Sequence, residues 1–174
     1  FASGTTYNTV LERETFNGSF TPWTTTNSSG GGGTAAFAAW TIRASPYSYN
    51  GSILSNDASR FYMSNSQAQG GGNTNTILKS PVLNTIGFTT LELSFWHYYN
   101  DNYACSDDVA RVQVSTDNVT WTTLTLPTSG EYNDDVPGRA NFANAVFNLN
   151  AYVGRPTVWV RFQYVATNDR YWAI

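Results

Sequence analysis

The sequence predicts an all-β domain, an antiparallel β-sandwich of the jelly-roll type, on three observations. Apolar and polar residues alternate with a period of two over much of the chain. Gly, Asn, Pro and Ser separate the alternating stretches at short intervals. Only residues 149–154 suggest a helical turn, which Gly154 closes with Pro156 just beyond it. Many short strands with almost no helix indicate packed sheets, and without a repeat or linker we expect one domain over residues 1–174.

Four stretches alternate most clearly, and each is expected to form a strand with one face on the core. They are LELSFWHYY (91–99), DVARVQVS (108–115), AVFNLN (145–150) and TVWVRFQYV (157–165). The inward-facing residues are Leu91, Leu93, Phe95, Ala110, Val112, Val114, Phe147, Leu149, Val158, Val160, Phe162 and Tyr164. The outward face of the second and fourth stretches carries Arg111, Gln113, Trp159, Arg161 and Gln163.

Other strands and one hairpin follow from the same pattern. Further strands are expected in VLERETF (10–16), AAWTIRA (38–44), RFYMSN (60–65) and NTILKSP (75–81). The sequence VQVSTDNVTWTTL (112–124) predicts a β-hairpin. We expect Thr116, Asp117 and Asn118 to form its turn, because Asp and Asn bond their own backbone and tolerate positive φ. Trp121 is expected to anchor the return strand as a buried residue.

The composition excludes two classes of partner. Charged residues make up only 12% of the chain, and the net charge is -3. Lys79 is the single lysine, and the sequence has none of the clustered basic residues that bind nucleic acid. No apolar run approaches the roughly 20 residues that span a bilayer. We therefore expect neither a nucleic-acid partner nor membrane insertion. Cys105 is the single cysteine, so no intrachain disulfide forms.

No arrangement of residues supports catalysis, so we expect a protein that is not an enzyme. His97 is the single histidine, it lies on the inward face of its strand by alternation, and the sequence has no nucleophile-elbow motif. Glu12 and Glu14 would share one face of the first strand at a glycosidase-like spacing, but nothing supplies a cleft. The glycine run at 30–33 is followed by no lysine and no helix, and predicts a flexible loop.

Several stretches together carry a family resemblance. They are ETFNGSFTPWTTTN (14–27), SRFYMSNSQAQGGGNTNTILKSPVLNTIGFTTLELSFWHYYND (59–101), DVARVQVSTDNVTWTTL (108–124) and LNAYVGRPTVWVRFQYVATNDRYWAI (149–174). In this order they resemble the MAM-like or choice-of-anchor J domain of Bacteroidetes surface proteins, which is similar to the cleaved-adhesin domains of gingipains. The resemblance implies a jelly-roll domain of secreted or cell-surface multidomain proteins. Family members usually continue beyond YWAI, so we expect the chain to be a piece of a longer surface protein.

The resemblance also implies a structural calcium ion. Glu14 and Asn17 stand where the family has its opening acids, Asn27 follows the tryptophan, and Asp57 precedes the strand at 60–65. Calcium takes about six to eight oxygen ligands from carboxylates, amides and backbone carbonyls. Asn17 replaces an acid in the family pattern, which lowers the charge of the site. We predict calcium binding by Glu14, Asn17, Asn27 and Asp57.

An aromatic loop is the predicted ligand site. In WHYYNDNYACSDD (96–108), aromatic faces alternate with hydrogen-bonding groups, a mixture that suits a sugar ring. The predicted ligand-binding residues are Tyr98, Tyr99, Asp101, Asn102 and Tyr103. The alternative interpretation is that these tyrosines cap the edge of the sandwich.

These observations predict a non-catalytic adhesion or carbohydrate-binding module that is secreted or displayed at the cell surface. Its partner would be a surface glycan or a neighbouring surface protein. The alternative is a structural subunit of an extracellular fibre or surface layer, assembled with copies of itself. The sequence stops at Ile174 in mid-strand, so we expect an unpaired sheet edge there, which a strand of another subunit could complete.

Overall fold

The computed structural model describes residues 10–18, 23–100, 108–124 and 142–174. Within these ranges the chain is an all-β sandwich of antiparallel sheets, as predicted. The strands are β1 (Thr24–Asn27), β2 (Thr41–Arg43), β3 (Tyr47–Ser48), β4 (Ser52–Ile53), β5 (Phe61–Asn65), β6 (Asn73–Lys79), β7 (Glu92–Asn100), β8 (Val109–Ser115), β9 (Thr122–Thr123), β10 (Ala143–Asn148), β11 (Trp159–Thr167) and β12 (Tyr171–Ala173). The helical elements are α1 (Ser66–Gln69) and two 3-10 turns, Ala35–Ala38 and Asn150–Tyr152.

Two five-stranded sheets form the sandwich. The first sheet has the order β1-β6-β11-β8-β9, and the second has the order β10-β7-β12-β5-β2. Strands β3 and β4 form a separate small hairpin. The four clearest alternating stretches became β7, β8, β10 and β11, within about two residues of their predicted bounds. The predicted helical turn at 149–154 is the second 3-10 turn, and Gly154 follows it with a φ of 71°.

The core lies between the two sheets. Strand β11 alternates half-buried and buried residues along most of its length, as the sequence predicted. Trp172 on β12 has no exposed surface, and its ring contacts Trp40, Tyr99 and Phe162 at centroid distances of 5.5, 6.4 and 5.8 Å. Rings from both sheets therefore interlock at the centre, which supplies a large part of the apolar burial.

A second cluster covers part of the outer face of the second sheet. It comprises Ile53, Phe61, Met63, Phe142, Tyr171 and Ala173, with Tyr47, Tyr49 and Tyr98 packed against it. The β3–β4 hairpin supplies Tyr47 and Ile53 to this cluster. The two sheets therefore differ on their outer sides, because this small hairpin covers part of the second sheet.

The first predicted strand, at 10–16, is wrong. These residues form no strand in the structure. The Glu14 side chain bonds its own backbone instead: Oε1 accepts hydrogen bonds from the amides of Thr15 and Phe16 at 2.8 and 2.6 Å. Phe16 adopts a φ of 55° and buries its ring against Tyr62. Such local side-chain bonds compete with a β-ladder, and Glu12 and Glu14 therefore share no strand face.

The glycine run at 30–33 is held in place rather than extending as a free loop. Gly30 and Asn73 exchange two backbone hydrogen bonds of 2.9 and 2.7 Å. The Gln69 side chain donates to the carbonyl oxygens of Gly30 and Gly32, both at 3.2 Å. A Cβ added at Gly72 would overlap the carbonyl oxygen of Gly30, so the two glycine loops, at 30–33 and 70–72, pack backbone to backbone. The prediction of a flexible loop missed this contact.

The expectation of an unpaired edge at the C-terminal residues is also wrong. Strand β12 lies between β7 and β5 and pairs with both. Beyond it, Ile174 and Tyr62 exchange two backbone hydrogen bonds of 2.9 Å. In the part of the chain that the structure describes, no helix is long and apolar enough to cross a membrane.

Candidate functional site

The predicted ligand loop begins as part of strand β7. The strand runs to Asn100, and its alternation directs Tyr99 into the core, where 1% of its surface is exposed. The expectation that Tyr99 lies in an exposed loop and binds ligand is therefore wrong. Tyr98 faces the other way and packs on Tyr171, with ring centroids 5.7 Å apart. Its hydroxyl accepts a hydrogen bond of 2.9 Å from Asn100 Nδ2. The remaining residues of this prediction, Asp101, Asn102 and Tyr103, lie outside the described residues.

Three of the four predicted calcium ligands lie along neighbouring segments. Asn17 Oδ1 accepts a hydrogen bond of 2.8 Å from the amide of Arg60, next to the turn that holds Asp57. Asp57 Oδ1 accepts from the amide of Ser59 at 3.0 Å. The pKa of Asp57 is lowered mainly by hydrogen bonds from Ser59. The positive charge of Arg13 lowers the pKa to a smaller extent. The segment with Glu14 and Asn17 therefore runs beside Asp57.

Asn27 has contacts of a different kind. It ends strand β1, where its side chain donates to the carbonyl oxygen of Ala35 at 2.8 Å and accepts from the amide of Ser29 at 3.0 Å. Among the described residues, no group of three or more His, Cys, Asp and Glu side chains could hold a metal ion. Calcium binding by Glu14, Asn17, Asn27 and Asp57 stays a prediction. Most of the oxygen ligands of such an ion would come from side-chain amides and backbone carbonyls.

The outer face of the first sheet carries two rows of side chains that are all polar except Ile77. Residues directly opposite one another in antiparallel strands share a face. One such row crosses all five strands, and a second row, two residues along, crosses four of them. The first row is Thr24, Lys79, Arg161, Gln113 and Thr123. The second is Thr26, Ile77, Gln163 and Arg111. We call these two rows, together with Asn75 and Trp121, the polar face.

Hydrogen bonds order the side chains of the polar face. Arg161 Nε donates to Gln113 Oε1 at 2.7 Å, and Gln113 Nε2 donates to Thr123 Oγ1 at 2.9 Å. Gln163 Nε2 donates to Asn75 Oδ1 at 3.2 Å. Both groups of the Gln113 amide are therefore held by neighbours, whereas Gln163 and Asn75 each have one group held by the other, which fixes the orientation of the group that remains for a ligand.

The turn of the β8–β9 hairpin contacts the polar face. Lys79 lies two strands away from β8, yet its Nζ donates to Asn118 Oδ1 at 3.0 Å. Asp117 shapes this turn, since its Oδ1 accepts from the amides of Val119 and Thr120 at 2.8 and 2.7 Å. These bonds and that of Ser115 lower the pKa of Asp117 to about 2. The turn at 116–118 is thus confirmed, and Asn118 has the predicted positive φ, 59°.

Trp121 belongs to the polar face and not to the core. It is half-buried, and the guanidinium carbon of Arg161 lies 4.0 Å from its ring centre. The expectation of a buried anchor is wrong, because the return strand β9 has only two residues and the tryptophan precedes it. Leu124, just after β9, packs against the core in its place. The Trp121 ring thereby forms an apolar surface beside the row of amides.

Sequence reasoning missed the polar face as a site, although its signal was present. The alternation in 108–115 and 157–165 already directed Arg111, Gln113, Arg161 and Gln163 outward. What the sequence alone does not contain is the pairing of β11 with both β6 and β8, which brings Lys79 directly opposite Arg161.

The fold and the site together define an antiparallel β-sandwich with one outer sheet face of ordered polar side chains. No protein-family model and no curated protein matches the chain. Among solved structures, the glycoside hydrolase domain of Endo-D from Streptococcus pneumoniae R6 is similar at a TM-score of 0.43 and 16% identity. The match covers 87% of this chain and 20% of that one, so the chain spans about a fifth of its length. A similarity this low assigns neither the fold family nor the activity of that protein.

Proposed function

We propose that the domain is a non-catalytic module, secreted or displayed at the cell surface, that binds carbohydrate through the polar face. The observation that carries this proposal is the hydrogen-bonded row of Thr123, Gln113 and Arg161 beside the Trp121 ring. A sugar offers hydroxyl groups to such amides and an apolar ring face to an aromatic side chain. Because these side chains are already ordered, they lose little rotamer freedom when a ligand binds.

The dimensions of the polar face suit a chain rather than a single sugar. Neighbouring strands lie about 4.8 Å apart, so a row that crosses five strands extends over about 19 Å. The hydrogen-bonding groups of the first row are spread along this length. We propose an oligosaccharide that lies across the strands of this face.

The test compares two tryptophan variants in a glycan array followed by calorimetry. Trp121→Ala removes the ring of the polar face, whereas Trp96→Ala removes a 43% exposed ring from the outer face of the second sheet. We expect glycan binding by the wild type and the Trp96 variant, and a loss of about five- to thirtyfold for Trp121→Ala, since covering the ring contributes about 1 to 2 kcal/mol. The bound glycan should be recovered uncleaved. The reverse pattern of losses, or turnover of the glycan, would contradict the proposal.

A specific observation favours the second candidate, a fibre or surface-layer subunit. Strand β10 lies at the edge of the second sheet and, among the described strands, pairs with β7 alone. Its sequence ANAVFN contains no charge and no proline, the residues that usually protect an edge strand. Val146 on this strand is 45% exposed. Such an edge could accept a strand from another copy or from a neighbouring surface protein.

Light scattering at micromolar concentration separates the two candidates. A subunit that assembles through β10 should form polymers, and Val146→Lys should dissolve them, because a lysine on an edge strand opposes pairing. Val119→Lys is the matched control, since Val119 is 80% exposed in the β8–β9 turn. A monomer at all concentrations would exclude assembly through this edge.

A further inference from the structure

The polar face carries an excess of positive charge in a protein whose net charge is -3. The five strands of the first sheet contain Lys79, Arg111 and Arg161, and none of them contains Asp or Glu. All three cations belong to the two rows of the polar face. Among the described residues of these strands, the charges on the face are therefore all positive, although the chain as a whole is acidic.

The three cations are close together, and Lys79 and Arg161 contact neutral groups. Lys79 stands directly opposite Arg161, and Arg111 lies diagonally from Arg161 on the neighbouring strand. Like charges at opposed positions destabilise a sheet. Lys79 contacts the Asn118 amide, and Arg161 contacts Gln113 and the Trp121 ring. None of these contacts supplies a negative charge.

Two carboxylates beside the ends of strand β8 accept hydrogen bonds from other groups. Asp108 is buried and accepts a hydrogen bond of 2.7 Å from the amide of Thr167. Asp117 accepts from the hydroxyl of Ser115 at 2.8 Å and from two amides of its own turn.

We infer that the polar face selects an anionic glycan, a chain of sugars that carry carboxylates such as a polyuronate. This inference rests on the proposed function and names its ligand class. Arg161 uses Nε on Gln113, which leaves its two terminal nitrogens as a fork for a carboxylate. Lys79 and Arg111 supply further charge along the rows, so one chain with repeated carboxylates meets all three cations.

Two features of the site favour a charged ligand over a neutral one. Burial lowers the pKa of Arg161, so its guanidinium is already partly desolvated, and a carboxylate offsets part of that cost. The Trp121 ring and the Gln113 amide fix the orientation of this guanidinium before a ligand binds. A rigid fork gives up little freedom when it binds a planar carboxylate.

The experiment uses two forms of one polymer that differ only in charge. Polygalacturonate and its methyl ester have the same backbone, and calorimetry at low and raised ionic strength measures the binding of each. We expect the acid form to bind at least tenfold more tightly than the ester, and raised salt to reduce that difference. Arg161→Gln should weaken acid binding about ten- to a hundredfold, the effect of one charge-assisted hydrogen bond of about 1.5 to 3 kcal/mol.

Matched controls separate this inference from the proposed function. Arg60→Gln removes an arginine beside the second sheet and should leave binding unchanged, and thermal unfolding shows whether each variant is folded. Equal binding of acid and ester would overturn the charge inference and leave carbohydrate binding in place. If neither form binds, the inference fails, and a neutral glycan whose binding depends on Trp121 would still support the proposed function. Equally strong binding of single-stranded DNA would show a general polyanion surface and also overturn it.

Discussion

Trp121 shows how one residue type serves two different purposes in this domain. Its ring lies against a charged guanidinium on the outer face of a sheet, whereas the ring of Trp172 is fully buried and contacts other aromatic rings. The first contact is electrostatic and partly hydrated, and the second is apolar burial. The energetic consequences of truncating each residue should therefore differ widely.

We predict that Trp121→Ala lowers the free energy of unfolding by about 1 to 2 kcal/mol, the combined effect of a cation–π contact and some lost apolar area. Trp172→Ala should lower it by about 3 to 5 kcal/mol, because a large cavity opens in the core. Urea denaturation of both variants measures the two values. A larger loss for Trp121 would show that this residue, and not Trp172, is the anchor.

His97 makes the stability of the domain sensitive to acid. It is buried on the inner face of β7 beside Phe95, and burial lowers its pKa to about 4. The unfolded chain takes up this proton near pH 6.5, whereas the folded chain takes it up only near pH 4. The free energy of unfolding therefore decreases by about 3 kcal/mol at most as the pH drops from 6.5 to 4. Below pH 4 the titration of His97 lowers it no further.

The variant His97→Leu should remove that part of the pH dependence. Chemical denaturation from pH 7 to pH 4 would show the wild type losing stability relative to the variant across the window. Two parallel profiles would mean that the imidazole titrates alike in the folded and unfolded chains.

The side chains of β7 also show where sequence reasoning holds at this scale. Alternation predicted that Leu93, Phe95 and His97 face inward, and the structure confirms it. The same period, carried two residues further, places Tyr99 inward as well. The polar residues that follow Tyr99 suggested a loop. The loop prediction, which came from composition, was preferred for Tyr99 over the strand prediction, which came from alternation. The predicted stretch at 91–99 and the observed strand Glu92–Asn100 both have nine residues, so the error lay in also assigning residues 96–99 to a loop.

Among the elements, the two glycine loops depend on each other. Gly72 has a φ of 97°, and a side chain there would strike the Gly30 carbonyl oxygen of the other loop. Gly70 also has a positive φ, 79°, but faces open space. The contact joins residues about 40 positions apart in sequence, so a run of glycines read locally cannot reveal it.

We predict that Gly72→Ala costs on the order of 4 kcal/mol or prevents folding, because strain and backbone overlap add together. Gly70→Ala should cost only about 1 to 2 kcal/mol, the strain of a left-handed residue without overlap. Thermal unfolding of the two variants measures the difference. An equal loss of stability in the two variants would mean that the positive φ alone sets the loss. The two glycine loops would then not pack against each other.

At the scale of elements, periodic stretches were predictable and paired surfaces were not. Strands β7, β8, β10 and β11 follow from alternation, because one face of each meets the core. The stretch at 10–16 failed because Glu14 bonds its own backbone. The polar face needed the register of β6, β11 and β8, which is a property of the assembled sheet.

At the scale of the whole molecule, the melting temperature of the domain tests calcium binding. An ion held by Glu14, Asn17 and Asp57 would join the segment at 13–17 to the turn before β5, two parts that already meet at the Asn17–Arg60 hydrogen bond. An ion that binds only the folded state stabilises it by about 2.7 kcal/mol at a hundredfold excess over Kd. For a domain of this size that raises Tm by about 5 to 10 °C.

We predict that EDTA lowers Tm by this amount and that Ca²⁺ restores it better than Mg²⁺, which demands a tighter octahedral site. Glu14→Gln should abolish most of the response. Asp117→Asn, which changes an exposed carboxylate in the β8–β9 turn, should leave the response intact. A Tm that is indifferent to EDTA would show that packing alone holds the segment at 13–17.

The position of β12 has a consequence for how the domain forms. Ribosomes deliver a polypeptide from its N-terminal end, so β5 and β7 emerge well before the residues that must lie between them. Until Tyr171–Ala173 arrive, the second sheet is split and the aromatic partners of Trp172 remain uncovered. Nascent chains of this domain should therefore stay open to proteases and chaperones until synthesis has passed these residues, and then close in one late step.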